Sequence, residues 1–175
     1  MIATVTLGQL QAIMPLARAR AVSFLPALNA TMTEFGITTP ARQASFLAQL
    51  AHESGQLVYV RELASGAAYE GRRDLGNVQP GDGVRFRGRG LLQITGRANY
   101  AACGLALGLD LLAQPTLLEQ TVNACRSAGW FWQSRGLNAL ADAGDQVKVS
   151  KRVNGGTNGL AERLAYFKTA QRVLA

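Results

Sequence analysis

The chain has 175 residues, of which 48% are apolar, so it is long enough to bury one substantial core. Eighteen Lys and Arg residues against 11 Asp and Glu residues give a net charge of +7, which favours polyanionic partners without selecting one. The apolar runs are far too short to span a membrane. We therefore expect a single domain over residues 1–175 and no transmembrane segment. The segment 1–7 has neither a basic start nor a continuous apolar stretch, so no signal peptide is expected.

The first third of the chain predicts three helices. A capping box at Thr6–Gln9 opens a short helix that Pro15 interrupts. Residues 16–35 have helical periodicity, with a kink expected at Pro26. Thr39–Pro40 then has the pattern of an N-cap followed by proline at the first helical position, and this third helix runs to Ser54.

Residues 55–96 contain nine of the 19 glycines and lose the helical period, which is typical of a functional loop. Within this stretch, 91–95 is predicted to be a short strand. Arg85, Arg87 and Arg89 alternate along the chain, and we interpret them as a solvated strand face. The same arginines could suit nucleic acid, but no nucleic-acid partner is expected from so short a patch.

Helices resume after Gly96. One is predicted over 97–107, and a capping box at Pro115–Glu119 opens another that runs to about Ser134. Shorter helices follow at 137–141 and 146–153, and a last one follows the turn 154–156. Arg163 lies on the buried side of that last helix, so it needs an anionic partner elsewhere in the fold.

Metal, serine and cysteine chemistry are disfavoured by the residue counts. The chain has one histidine and two cysteines, Cys103 and Cys125, too few for the usual zinc sites. No Gly-x-Ser-x-Gly motif accompanies His52. We expect no metal and no cofactor, and we expect both cysteines to be reduced core residues. Any hydrolytic chemistry must therefore depend on carboxylates.

Glu53 is the carboxylate with the most unusual position. It lies three residues after Leu50 and seven after Phe46, so it projects from the edge of the apolar stripe of its helix. Partial desolvation there favours the protonated form, which a general acid requires. The alternative is an ordinary glutamate at a helix end that points into solvent.

A second carboxylate could lie across a groove from Glu53. Glu62 is nine residues downstream, and the break at Gly55 allows the chain to fold back and bring it opposite. Spacing alone does not rank Glu62 against Glu70, Asp74 or Asp82. An acid paired with a base across a groove is the minimal requirement for glycoside hydrolysis.

Three groups of motifs, in this order, resemble the family 19 glycoside hydrolases, which include plant and bacterial chitinases and lysozyme-type phage endolysins. They are Phe46–Gly55, Phe86–Thr95 with Asn99–Tyr100, and Val153–Gly156 with Glu162–Arg163. The short loop around Tyr69–Arg72, Leu75–Asn77 and Gly81–Gly83 is most similar to the phage endolysin branch. The resemblance implies a mainly α-helical, two-lobed domain of the lysozyme superfamily with a small β element, a central cleft and no separate wall-binding module.

The resemblance also implies roles for individual residues. Glu53 would be the general acid, Glu62 the general base (with Glu70 as the fallback), and Thr95 the residue that positions water. The implied substrate-contacting or groove-flanking residues are His52, Gln93, Asn99, Tyr100 and Asn154. Arg163 would pair with the catalytic acids beside the substrate. The tryptophans Trp130 and Trp132 are expected in the core, although either could border a sugar site.

The expected activity is inverting hydrolysis of β-1,4 bonds in peptidoglycan, which the basic charge and the short loops favour over chitin. A chitinase, a lytic transglycosylase that needs one acid only, and a binding module with a decayed site remain alternatives. We expect a monomer. If the protein is phage-encoded, the resemblance implies accumulation in the host cytoplasm and release to the periplasm and cell wall through a holin.

Overall fold

Nine α-helices account for most of residues 4–175, the part of the chain that this computed structural model describes. Met1 to Ala3, at the start of the segment where no signal peptide is expected, lie outside that range. The helices are α1 (Leu7–Ile13), α2 (Ala19–Glu34), α3 (Pro40–Glu53), α4 (Asp82–Arg85), α5 (Arg97–Leu107), α6 (Thr121–Ser134), α7 (Leu137–Asp142), α8 (Gln146–Asn154) and α9 (Leu160–Leu174). The prediction of a mainly helical fold is confirmed. None of the described helices is long and apolar enough to cross a bilayer.

Two of the three helix starts predicted in the first third of the chain, those of α1 and α3, are confirmed. The Thr6 hydroxyl accepts a hydrogen bond from the Gln9 amide at 3.3 Å, and the Gln9 side chain accepts one from the Thr6 amide at 2.9 Å, completing the capping box of α1. Thr39 caps α3 in the same way through the Arg42 amide, and Pro40 occupies the first turn. Pro26 lies inside α2, which begins at Ala19 because residues 15–18 form a turn.

Helix α3 is the central element of the core. Every residue from 43 to 51 is buried, and the helix packs along α9. Phe46 contacts Trp132 of α6 edge to face, with ring centroids 5.2 Å apart. Because α3 is buried from Gln43 to Ala51, its last two residues, His52 and Glu53, are where its C-terminal end reaches the surface.

The predicted strand over 91–95 is wrong. The segment 89–94 is instead a tight reversal, in which Ile94 pairs only with Arg89. Positive φ angles at Gly90 (80°) and Gln93 (51°) turn the backbone too sharply for an extended run. The β content of the described residues is limited to isolated bridges that join Arg89 to Arg61 and to Ile94.

The predicted helix over 115–134 is split in two. Residues Pro115–Glu119 form a 3-10 helix without a side-chain cap, and α6 begins only at Thr121. Gln120 between them is extended (ψ 137°), so the helical hydrogen bonds are interrupted there. Glu119 is fixed by a tertiary contact instead, since it accepts a hydrogen bond from Arg89 at 2.7 Å.

The interpretation of Arg89 as part of a solvated face is also wrong. Its side chain is buried, and it pairs with Glu119 and donates to the Arg85 carbonyl and the Tyr100 hydroxyl. Arg85, by contrast, is exposed. Both cysteines, Cys103 and Cys125, are buried free thiols as predicted, and burial raises the pKa of each to about 12.

Candidate active site

Glu53 is the last residue of α3, and its carboxylate contacts the guanidinium of Arg163 in α9. Its Oε1 accepts a hydrogen bond from Arg163 Nη2 at 2.5 Å. Arg163 is almost fully enclosed, whereas 21% of the Glu53 side chain is exposed. The sequence pattern predicts an apolar environment for this carboxyl, but its immediate neighbour is a cation. Glu53 is therefore held on one side by an ion pair and is open to solvent on the other.

Arg163 holds Glu53 in place and is itself held by two other groups. Nη1 donates to Gln49 Oε1 at 2.6 Å and Nε donates to the Asn158 carbonyl at 3.2 Å. The expectation that Arg163 needs a carboxylate partner is thus confirmed. Its placement among substrate-contacting residues is not supported, because the side chain is only 2% exposed and its donors are engaged within the protein.

His52 forms a second link between the end of α3 and the start of α9. Its Nδ1 pairs with the carboxylate of Glu162. The imidazole lies on Gly159, where a Cβ atom would come within 2.1 Å of the ring. His52 is partly exposed, and its contacts with Glu162 and Gly159 fix the end of α3 next to Glu53.

Glu62 lies in the loop after α3 and is held by its backbone and by one hydroxyl group. Its amide donates to the Gly88 carbonyl at 3.0 Å, and its Oε2 accepts a hydrogen bond from the Tyr69 hydroxyl at 3.0 Å. Its Oε1 is buried without a hydrogen-bond partner among the described residues. A buried carboxylate oxygen without a partner is costly unless water or a ligand occupies the adjacent space.

Three predicted site residues converge around Gly88. A Cβ atom at Gly88 would lie 2.6 Å from Gln93 Oε1, 3.0 Å from Glu62 Oε2 and 3.2 Å from Thr95 Oγ1. Glycine at this position therefore allows the three side chains to meet. Thr95 donates its own proton to the Gln93 carbonyl at 3.0 Å, so its oxygen is left as an acceptor.

Glu70, the alternative candidate for the second carboxylate, binds backbone amides with both of its oxygens. Its two oxygens accept hydrogen bonds from the amides of Gly81 at 2.7 Å and Gly83 at 2.8 Å, at the start of α4. Both of its oxygens therefore serve the loop structure. The contacts favour Glu62 over Glu70 as the partner of Glu53.

A cavity of about 410 Å³ adjoins the side chains of Gln93 and Thr95 that meet at Gly88. It is lined by Leu75, Gln93, Ile94, Thr95, Asn99, Trp130, Phe131, Arg135, Val153 and Asn154. Neither candidate carboxylate belongs to this lining, but each is connected to it through neighbouring groups. Glu62 meets Gln93 and Thr95 at Gly88. Glu53 is connected through Arg163 to the Asn158 carbonyl, which also accepts a hydrogen bond from Asn154 at 2.7 Å.

The predicted amides Gln93, Asn99 and Asn154 all line the cavity, and each is braced by the backbone. Gln93 donates to the Gly90 carbonyl at 2.9 Å, and Asn99 donates to the Thr95 carbonyl at 2.7 Å. Asn154 is held from both ends, since its Oδ1 also accepts from the Gly156 amide at 2.7 Å. These contacts fix the side chains before any ligand binds.

Tyr100, predicted at the groove, lies beneath it. The side chain is fully buried, its hydroxyl donates to the Arg87 carbonyl at 2.6 Å, and burial raises its pKa to about 12. Tyr100 therefore supports the loop and does not contact a ligand. Of the two tryptophans, Trp130 lines the cavity and Trp132 is in the core.

Two residues near the site, Tyr69 and Arg135, were not predicted from the sequence. Tyr69 lies seven residues after Glu62 in an irregular segment, where no periodicity relates the two positions. Arg135 lies just beyond the end of α6, a position typical of a solvated helix end. The only sequence feature that could have indicated a site role for Arg135 was its position close after the aromatic residues of α6.

A family model described as chitinase class I, glycoside hydrolase family 19, matches residues 20–152. The chain belongs to glycoside hydrolase family 19. A family 19 domain protein of Haemophilus influenzae is 30% identical to it, and the match covers 81% of this chain and 84% of that one. An endochitinase of Arabidopsis thaliana is 33% identical over 83% of this chain, and this chain spans 57% of the plant protein.

Solved structures of family 19 enzymes have the same fold. Chitinase C of Streptomyces griseus superposes with a TM-score of 0.80 at 24% identity, and the match covers 97% of this chain and 92% of that one. A class IV chitinase of Zea mays gives a TM-score of 0.64 at 23% identity, with 98% and 82% covered. The mainly helical architecture predicted from the resemblance is therefore the family architecture, and the chain is a glycosidase by family membership.

Proposed function

We propose that this family 19 protein hydrolyses β-1,4-linked glycans of N-acetylated amino sugars, with Glu53 as general acid and Glu62 as general base. Support comes chiefly from the two carboxylates, which lie on different elements and are each connected through neighbouring groups to residues that line one cavity. Glu53 faces a guanidinium, whereas Glu62 presents a buried oxygen without a partner among the described residues. An inverting mechanism needs two such carboxylates, one that delivers a proton and one that activates water. The resemblance of the sequence motifs, and not these surroundings, assigns the proton to Glu53.

The contacts assign the steps to individual atoms. Because Arg163 binds Oε1 of Glu53, Oε2 would carry the proton that is delivered to the glycosidic oxygen as the bond to the anomeric carbon breaks. Oε1 of Glu62 would take a proton from the water that attacks the opposite face of the sugar. Thr95 would accept a hydrogen bond from the same water, since its own proton is donated to Gln93.

Chitin-type polymers of N-acetylglucosamine are the first candidate substrate. The relatives from Arabidopsis thaliana are named endochitinases, and the cavity is lined mainly by neutral amides and by apolar and aromatic side chains. Trp130 gives such a site an aromatic surface for a sugar ring. These observations make chitin at least as well supported a substrate as peptidoglycan, the polymer expected from charge and loop length.

Peptidoglycan is the second candidate substrate, because the net charge of +7 suits an anionic cell envelope. A phage-type endolysin would act on that polymer. A lytic transglycosylase would leave an anhydro-sugar end, whereas a hydrolase leaves a reducing end. Mass spectrometry of the products formed from both polymers distinguishes these reactions, and NMR of fresh products reports inversion at the anomeric carbon.

Replacement of either carboxylate by the isosteric amide tests the assignment. We expect Glu53→Gln and Glu62→Gln each to lower kcat by at least about a hundredfold, since acid–base groups contribute roughly 10²–10⁴-fold. Glu70→Gln is the matched control, and it should retain most of the activity because its oxygens bind only backbone amides. Circular dichroism and urea unfolding check that all three variants fold. A folded Glu53→Gln variant with wild-type turnover would contradict the proposal.

A further inference from the structure

Arg135 lies in the wall of the cavity, and it has no anionic partner among residues 4–175. Its guanidinium carbon lies over the Phe131 ring, 3.7 Å from the ring centroid, so a cation–π contact holds the group there. No carboxylate, carbonyl or hydroxyl of the described residues accepts a hydrogen bond from its side chain. Burial lowers the pKa of Arg135, which is the direction expected when no nearby anion compensates the lost hydration.

Arg20 and Arg87 are also partly buried without a carboxylate partner, whereas five other partly or fully buried arginines of the described chain have one. The pairs are Arg42–Asp142, Arg89–Glu119, Arg97–Asp82, Arg126–Glu34 and Arg163–Glu53. Arg135 differs in that it lines the cavity together with Gln93, Asn99 and Asn154, and it is the one charged residue among the described lining residues. The cavity thus presents a single, pre-positioned positive charge beside its neutral amides.

We propose that Arg135 binds a carboxylate carried by the glycan in this cavity, and so selects carboxylate-bearing amino-sugar polymers over neutral ones. The inference rests on the proposed function, because it assumes that the cavity holds the glycan. A planar guanidinium with unused donors matches a carboxylate through two parallel hydrogen bonds. The contact with the Phe131 ring is a cation–π contact, and no described residue accepts a hydrogen bond from those donors.

The two candidate polymers differ in whether they carry a carboxylate that Arg135 could bind. Chitin carries no carboxylate, so Arg135 would meet only hydroxyl and acetamido groups there. Peptidoglycan carries a lactyl ether on every second sugar, and its carboxylate is either free or linked to a peptide that has carboxylates of its own. A subsite that contains Arg135 would therefore favour the second polymer through charge, independently of the net charge of the protein.

Binding measurements in a catalytically inactive background separate this inference from the proposed function. The Glu53→Gln protein is titrated by calorimetry with two tetrasaccharides of equal length. One is an alternating N-acetylglucosamine–N-acetylmuramic acid oligomer with free lactyl carboxylates, and the other is chitotetraose. The same titrations are repeated after adding Arg135→Gln, and again after adding Arg172→Gln. Arg172 is exposed near the end of α9, so this control removes one positive charge from outside the cavity lining.

We expect Arg135→Gln to weaken binding of the carboxylate-bearing oligomer by about tenfold, the size of one charge-assisted interaction. Binding of chitotetraose should stay within about twofold, and Arg172→Gln should leave both affinities unchanged. Addition of Arg135→Lys, which keeps the charge but not the planar donor pair, should restore part of the lost affinity.

Equal weakening of both oligomers by Arg135→Gln would overturn the inference, because it would indicate a packing role against Phe131. Unchanged binding of both would also overturn it. Neither result bears on hydrolysis. Failure of the wild-type protein to cleave either polymer would instead contradict the proposed function, while the binding comparison would still decide the role of Arg135.

Discussion

Among single residues, the two candidate catalytic acids are held by different kinds of partner. Glu53 is fixed by a buried guanidinium, whose geometry is itself set by Gln49 and the Asn158 carbonyl. Glu62 is fixed by its own backbone and by one phenolic hydroxyl. The position of Glu62 therefore depends on a contact that can be removed without disturbing the helical core.

Tyr69→Phe removes that contact. We expect kcat to fall by about tenfold or more while KM changes by less than about twofold, because a single hydrogen bond to a charged group contributes roughly 1.5–3 kcal/mol and each 1.4 kcal/mol is about tenfold in rate. Tyr69 thus acts as a positioning residue, and steady-state kinetics on a soluble oligosaccharide measure the effect. Tyr59→Phe is the matched control, since Tyr59 is 44% exposed. An equal fall in kcat for both variants, or an unchanged kcat for Tyr69→Phe, would contradict this role.

At the level of helices, the pair α2–α6 packs more closely than any sequence pattern indicated. A Cβ atom at Gly129 of α6 would come within 2.2 Å of the Phe35 ring and 2.6 Å of Thr31 Cγ2. Glycine in the interior of a helix costs about 1 kcal/mol relative to alanine. The close approach of the two helices explains why glycine is nevertheless present there.

Gly129→Ala should destabilise the protein by about 1–3 kcal/mol, the usual range for overpacking of a core. Gly8→Ala provides the matched control, because Gly8 lies within α1 and a Cβ atom added there would have no neighbouring atom of the described residues within 4 Å. That variant should be neutral or more stable by up to about 1 kcal/mol. Urea unfolding of both variants gives the comparison. The prediction is wrong if Gly129→Ala is as stable as the wild type.

For the molecule as a whole, the loop 54–96 is fastened to the helical body by a buried ion pair. Asp82 accepts hydrogen bonds from Arg97 at 2.6 and 2.8 Å and from the amides of Val78 and Gln79. These bonds, the one from Arg97 foremost, lower the pKa of Asp82 from 3.8 to about 2. Thr95 and Asn99, which line the cavity, are each two residues from Arg97 in the sequence.

Acid should therefore loosen the fold. Because the pKa of Asp82 is lower in the folded state, its contribution to stability is complete above pH 3.8 and is lost as the pH falls towards about 2. Exposed pairs such as Arg42–Asp142 contribute less, since solvent screens them. The free energy of unfolding, measured by urea between pH 2 and 7, should fall most steeply within that window.

Asp82→Asn isolates this contribution. The variant should be less stable than the wild type by on the order of 2 kcal/mol at pH 6, and the difference should shrink as the pH approaches 2. Asp142→Asn, at an exposed ion pair, serves as the control and should show a smaller difference at pH 6. A constant difference between wild type and Asp82→Asn across the pH range would indicate that the ionisation of Asp82 does not stabilise the fold.

Features that depend on neighbouring residues could be predicted from the amino-acid order alone. The caps at Thr6 and Thr39, the proline at the start of α3 and the glycine-rich loop all act within a few residues, so their patterns were sufficient. The need for a carboxylate partner of Arg163 was also predictable, because an unpaired buried charge is too costly. The order of the family motifs singled out the candidate site residues Glu53, Glu62, Gln93, Thr95, Asn99 and Asn154.

Only the tertiary structure shows which side chains contact each other. Arg163 and Glu53 are 110 residues apart, and Arg89 and Glu119 are 30 apart, so no spacing rule connects either pair. The burial of Tyr100 and the reversal over 89–94 likewise depend on contacts between distant segments. Burial and ion pairing are properties of packed elements, and a periodic pattern indicates which face of an element is buried without specifying what packs against it.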